Sequence, residues 1–336
     1  MLQLWSIFLI SAVAIILAGT KLSDYGDVIA IKTGLGQALV GSILVAGATS
    51  LPEVVTSSTA SIIGAPDIAI GNVFGSNTFN LMILALVDLL HGAGPFMLKV
   101  HSKHILSALL GILLSGLATL FILANYLTDL NLEFLGVGLG SLAILATYLV
   151  GTRLIFRYEK KHQLEEEEEE GLVDLETSLK EAIIGFSISA IIIVIAGIFL
   201  SYSGDKIATL SGLDKTFMGT ILVAAATSLP EVVASISAIR INAYDMAVGN
   251  VFGSNIFNMV IIIVSDIAYR GGSVLKAVSL THTLTAILGL ILSAIAVIGL
   301  FYRSKKTFLT IGWDSITITA IYLFGAYLLF QLGINV

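Results

Sequence analysis

Two glutamates, Glu53 and Glu231, lie inside long apolar stretches, and each follows the same five residues, Ala-Thr-Ser-Leu-Pro. A carboxylate at the centre of a bilayer costs on the order of 3 kcal/mol or more, so such a pair needs compensation. Neither motif holds Lys, Arg or His. The compensating charge is then a transported cation or a proton. Protonated glutamates acting only as interhelical hydrogen-bond glue would leave both the prolines and the duplication unexplained. Pro52 and Pro230 lack an amide proton and clash with the preceding turn, which predicts a kinked or broken helix at mid-span. Broken backbone at that depth is tolerated only where it is buried in protein or lines a polar cavity. Such breaks would free carbonyls near Ala46 and Thr49, and near Ala224 and Thr227, as cation ligands. Thr49, Glu53 and Ser57 recur every fourth residue, as do Thr227, Glu231 and Ser235, so each set follows one helix face.

A second motif accompanies the first. GNVFGSNTFN, Gly71 to Asn80, returns as GNVFGSNIFN, Gly249 to Asn258, at the 178-residue offset that also separates the two glutamates. Asn72, Ser76 and Asn80, like Asn250, Ser254 and Asn258, place an oxygen-rich stripe along one helix face. Gly71 with Gly75, and Gly249 with Gly253, form small-xxx-small surfaces that admit a close helix neighbour. Hydroxyl, carbonyl, amide and carboxylate oxygens without thiolate or imidazole define a hard-cation site suited to Na+, Ca2+ or Mg2+. Two carboxylates balance one Ca2+ or two Na+, and competition for that pair would couple the two ions' movements.

The elements that must carry these motifs are membrane helices. The chain is 57% hydrophobic and 12% charged, and apolar runs recur near 2–19, 36–63, 69–90, 104–125, 133–154, 179–201, 216–239, 246–268, 279–302 and 311–332. A large soluble helical core would need polar faces that these runs lack. With the N-terminus outside, only Lys206, Lys215, Arg270 and Lys276 of the 17 basic residues fall in outer connections. That bias predicts both termini outside and the central loop cytoplasmic, in a cell (plasma) membrane. Lys21 follows the first run and no basic residue precedes it, so that run is expected to be a true span rather than a cleaved signal. Five spans per half is an odd number. The halves, 1–154 and 179–336, are therefore expected to form an all-α inverted repeat about an axis in the membrane plane, with Glu53 facing Glu231 near the midplane. Their linker, 155–178, carries the acidic run Glu165 to Glu170, expected to be solvated and too short to fold alone. That run supplies much of the net charge of −6, which therefore says nothing about a nucleic-acid partner. With no Cys, disulfides and thiolate metal sites are excluded. No cofactor and no obligatory protein partner are expected beyond Na+, Ca2+ and lipid.

The paired motifs resemble the Na+/Ca2+ exchanger family of the calcium/cation antiporter superfamily, in which two inverted repeats carry GTSLPE-type and GNxxGSN-type motifs. The resemblance implies a central Ca2+ site of Glu53, Glu231 and the carbonyls of Thr49 and Thr227. It implies flanking Na+ sites drawing on Ala46, Ser50 and Ser76 and on Ala224, Ser228 and Ser254, with Asn80 and Asn258 between them, and an electrogenic exchange. Ala48 and Ala226 replace the family's usual Gly before the Thr. Asn258 stands where prokaryotic and K+-dependent relatives often carry Asp, which argues against K+ co-transport. The central loop lacks the regulatory Ca2+ domains of animal exchangers.

Sequence alone thus favours a Na+-driven Ca2+ exporter, with a proton-coupled antiporter of the same superfamily as its main rival. A channel would share the scaffold. An intramembrane hydrolase lacks a nucleophile with a base and any HExxH motif. Asp88 and Asp266, also 178 apart, are expected either at a cavity mouth or as helix-end polar caps. The five histidines are scattered and are expected to be ordinary loop or interface residues.

Overall fold

The computed structural model describes residues 2–92, 94–128, 133–134, 136–166, 177–210, 227–308 and 310–334. Eleven helical segments carry the argument: α1 (Leu2–Thr33), α2 (Gly36–Thr49), α3 (Leu51–Ile62), α4 (Pro66–His91), α5 (His104–Thr128), α6 (Leu139–Glu166), α7 (Leu179–Leu210), α8 (Leu229–Arg240), α9 (Tyr244–Ala268), α10 (Thr281–Tyr302) and α11 (Trp313–Ile334). Among the described residues, eight helices are long and apolar enough to cross a membrane, and the bent pair α2 and α3 makes nine. The run expected at 216–239 is described only from Thr227 onward.

Burial ranks these helices. Within their most apolar windows α4 is 72% and α9 83% buried, whereas the remaining unbroken spans lie between 17% and 39%. The two GNVFGSN helices are therefore the centre of the molecule. Around them, Leu and Ile on the outward faces of α1, α5 and α7, such as Leu17, Leu113 and Ile191, stay exposed, as helices facing lipid require. Gly253 and Gly249 explain how the centre packs so tightly. A Cβ on Gly253 would stand 2.3 Å from the Ser42 carbonyl oxygen, and one on Gly249 would stand 2.7 Å from that of Ala38. Backbone meets backbone there, which only a residue without a side chain permits.

Several expected boundaries shift. α1 runs on to Thr33, well past the apolar run, because its later turns pack against α8 and Ser23 Oγ donates to the Ala234 carbonyl at 2.9 Å. Lys21 and Asp24, which interrupt the apolar run, pair with each other at 3.3 Å. α7 likewise continues to Leu210, and α6 extends into the acidic run as far as Glu166. The runs expected from 133 and 311 begin instead as short antiparallel hairpins. Strands β1 (Glu133–Phe134) and β2 (Val137–Gly138) pair Glu133 with Gly138, and β3 (Thr307–Phe308) and β4 (Ile311–Gly312) pair Thr307 with Gly312. Each hairpin leads directly into a helix, α6 or α11.

The helix break is also displaced. Pro52 sits in the first turn of α3, where a missing N–H costs nothing, and the chain turns at Ser50 (φ −86°, ψ 4°), giving α2 and α3 a bend of 44°. A stretch of wider π-helix, Val40–Val45, precedes it. Ser228 has the same conformation (φ −84°, ψ 7°) ahead of Pro230.

Candidate cation site

Glu53 and Glu231 are both completely buried, each in the first turn of its helix, α3 or α8. A helix N-terminus is the backbone's own partial positive charge, so placing a carboxylate there offsets part of its desolvation. The side chains that hold them come from the opposite copy. Ser50 Oγ donates to Glu231 Oε1 at 2.9 Å, and Ser228 Oγ donates to Glu53 Oε1 at 3.3 Å. Thr49 Oγ1 donates to Asn250 Oδ1 at 3.2 Å, and Thr227 Oγ1 donates to Asn72 Oδ1 at 3.4 Å. Every one of these contacts returns when 178 is added to one partner and subtracted from the other.

What remains unbonded defines the site's chemistry. Glu53 Oε2, Glu231 Oε2, Asn80 Oδ1, Asn258 Oδ1 and Ser254 Oγ are buried and make no hydrogen bond. Four of the five are pure acceptors, and Ser254 Oγ can also accept. Buried acceptors left without a donor carry a desolvation cost that a bound cation removes. No group of three or more His, Asp or Glu able to hold a metal occurs among the described residues. Any ion here would rely on the glutamate pair and neutral oxygens, a set suited to Na+ or Ca2+ rather than to a transition metal.

The other expected residues are placed as follows. Ser76 Oγ is 3.5 Å from Thr227 Oγ1, bringing the two motifs of different copies together. The Ala46 carbonyl accepts the Ser50 N–H (3.0 Å) and lies 3.2 Å from Thr49 Oγ1, whose one proton is given to Asn250, so the break does not free this carbonyl although one of its lone pairs stays open. Because the break falls after Thr49, this bond of the last turn of α2 stays in place. Ala224 lies outside the described residues. Ser57 and Ser235 hydrogen-bond to the neighbouring helix, α4 or α9. Ser57 accepts from Asn72 Nδ2 at 2.9 Å, and Ser235 accepts from Asn250 Nδ2 at 3.0 Å.

Asp88 and Asp266 are helix-end clamps. Asp88 accepts the Phe96 and Gly312 N–H groups, both at 2.7 Å, and Asp266 accepts those of Val274 (2.5 Å) and Gly138 (2.8 Å). Each fastens the end of a central helix to its own following turn and to the hairpin of the other half.

Two sets of polar residues escaped the sequence reading. Asn77 and Asn255 face each other across α4 and α9, and lie one position off the four-residue stripe that drew attention to their neighbours. At the helix starts, Asp67 Oδ1 accepts from the Ser279 N–H at 2.7 Å and contacts His282 Nε2 at 3.0 Å. Asp245 Oδ1 accepts from the His101 N–H and contacts His104 Nε2, both at 2.9 Å, and its Oδ2 meets His101 Nδ1. Asp67 and Asp245, and His104 and His282, keep the 178 offset, the signal that could have paired them.

Fold and site together define a multi-pass helical membrane protein whose interior holds a pair of carboxylates. The chain belongs to the sodium/calcium exchanger protein family, whose family model matches residues 3–156 and 181–333. It is 29% identical over 271 residues to the inner membrane protein YrbG of Escherichia coli, covering 78% of this chain and 79% of that one. It is 27% identical over 277 residues to the sodium/calcium exchanger MaX1 of Methanosarcina acetivorans, covering 72% and 77%. Its fold matches the sodium-calcium exchanger NCX_Mj, soaked with Na+ and Sr2+, at a TM-score of 0.70 and 23% identity over 96% of this chain and 98% of that one.

Proposed function

We propose that this protein exports Ca2+ against inward Na+ by alternating access around one site built from Glu53 and Glu231. The observation that carries this reading is the pair of completely buried glutamates, each with one oxygen held by the other copy's serine and one left without a donor. Thr49, Thr227, Ser50, Ser228, Ser76, Ser254, Asn80 and Asn258 complete the coordination, with backbone carbonyls of Ala46 and Ala224 at its edges. Ca2+ and Na+ compete for the same two carboxylates, and that competition is the coupling.

The scaffold for this cycle is ten helices in two halves, 1–154 and 179–336, of opposite membrane polarity. The reciprocal exchange of contacts at the 178 offset supports a two-fold axis between the halves, and five spans in each require that axis to lie in the membrane plane. The basic residues support termini outside and the linker 155–178 in the cytoplasm.

The test is 45Ca2+ uptake into proteoliposomes loaded with Na+, K+ or choline. Uptake that needs internal Na+ is the expected result. Uptake that persists in choline and follows an imposed pH gradient would instead make the protein a proton-coupled antiporter.

A further inference from the structure

Asn77 and Asn255 touch neither glutamate, yet they form a closed network with the two asparagines that flank the site. Asn77 Nδ2 donates to the Asn255 backbone carbonyl at 3.4 Å, and Asn255 Nδ2 donates to the Asn77 carbonyl at 3.3 Å. A carbonyl oxygen can only accept, so these two contacts fix which end of each amide is nitrogen. The amide oxygens of Asn77 and Asn255 must then point the other way. Asn77 Oδ1 receives Asn258 Nδ2 at 3.0 Å, and Asn255 Oδ1 receives Asn80 Nδ2 at 3.1 Å. An amide is planar, so committing its nitrogen commits its oxygen. Asn80 Oδ1 and Asn258 Oδ1, the oxygens of the two amides so held, are buried and left without a donor.

We infer that Asn77 and Asn255 are positioning residues that hold the amides of Asn258 and Asn80 with oxygen, never nitrogen, available to the cation. This rests on the cation site proposed above. A free asparagine flips between two orientations of equal shape, and one of them would present two N–H donors that repel a cation. Two backbone carbonyls, through one relay each, remove that orientation. One relay runs from main chain to Asn77 to Asn258 and the other from main chain to Asn255 to Asn80, so each crosses from one copy to the other. The relay also explains why the site can use amides here: their donors are consumed within the protein.

The experiment is a double-mutant cycle read as the Ca2+ KM of Na+-driven 45Ca2+ flux, with Asn77→Ala, Asn258→Ala and the combined variant. If Asn77 acts through Asn258, Asn77→Ala raises KM by on the order of tenfold, and the combined variant is no worse than Asn258→Ala alone. Effects that multiply in the combined variant overturn the relay. Asn77→Asp keeps the shape and supplies a check that does not depend on tolerance of a cavity. Protonated, its carboxyl group donates to the Asn255 carbonyl and accepts from Asn258; ionised, it cannot donate. Its KM should approach that of the wild type as pH falls and worsen as pH rises, while Asn77→Ala shows no such recovery. An Asn77→Asp protein impaired equally across that range overturns the relay too. Wild-type protein with no Ca2+ flux under either a Na+ or a pH gradient overturns the site itself and this inference with it, whereas wild-type flux with multiplicative effects removes only the role of Asn77.

Discussion

Ser50 Oγ lies 2.9 Å from Glu231 Oε1, so the residue at which the first copy's helix breaks is the one that holds the second copy's carboxylate. The reciprocal contact, Ser228 to Glu53, is 3.3 Å. The break and the site are thus one feature. An unbroken helix would carry Ser50 away in the α-helical screw, and the glutamate would lose the Ser50 hydroxyl.

Glu53→Gln and Glu231→Gln should each abolish Ca2+ transport while leaving a folded, membrane-inserted protein. Either change halves the charge available to a divalent ion and puts an N–H group where an acceptor stood. Near-normal 45Ca2+ flux in either variant, with normal elution on size exclusion, would remove the glutamate pair from the site.

Asp88 and Asp266 bear on stability rather than on ion chemistry. Each takes two buried backbone N–H groups, and removing the carboxylate leaves them unpaired at a cost of about 1–3 kcal/mol per group. Asp266→Ala should lower the thermal unfolding midpoint in detergent more than Asp266→Asn, which keeps one acceptor. The same ranking is expected at Asp88. Equal midpoints for Ala, Asn and wild type would show that the clamps carry no load.

Much of the site was legible because its residues recur at a constant offset and at helical spacing. Glu53 and Thr49 could be read from ATSLPE alone, Ser50 came only with the family resemblance, and the prolines located the break to within two residues. It falls at Ser50 because proline is accommodated in a first helical turn, so the backbone turns before it rather than at it. Asn77 and Asn255 were hidden for a related reason. Periodicity selects residues on one face, and these two sit one step round the helix, where only the packing of α4 on α9 reveals a polar contact. The length of α1 was hidden by Lys21, Asp24 and Asp27, which end the apolar run although the helix goes on to pack against α8. Asp67 with His282, and Asp245 with His104, are far apart in sequence, and spacing within one motif carries no sign of them.

The acidic run Glu165 to Glu170 should be dispensable. It lies outside both motifs and beyond the apolar part of α6, and like charges in a row repel one another into solvent. Replacing the six glutamates by Gly and Ser should leave Na+-driven Ca2+ flux within a few-fold of wild type. Complete loss of exchange in a well-expressed, folded variant would give this segment a part in transport.

Asn258 should make the exchange independent of K+. Its amide offers the cation one neutral oxygen, its nitrogen being committed to Asn77 at 3.0 Å, so among the described residues no negative charge beyond the two glutamates stands at the middle of the site to hold a further monovalent ion. Asn258→Asp changes this in two ways. It adds a buried carboxylate that must be neutralised by a proton or a cation, and it sets an acceptor against Asn77 Oδ1 where a donor stood. Protonation relieves both at once, so the variant should gain sensitivity to pH or to K+ that the wild type lacks. The measurement is initial 45Ca2+ flux in vesicles, with the membrane potential clamped by valinomycin, across a range of K+ concentrations and of pH for both proteins. A wild-type flux that requires K+ would show that a further cation is bound without a third carboxylate, and the neutral reading of position 258 would be wrong.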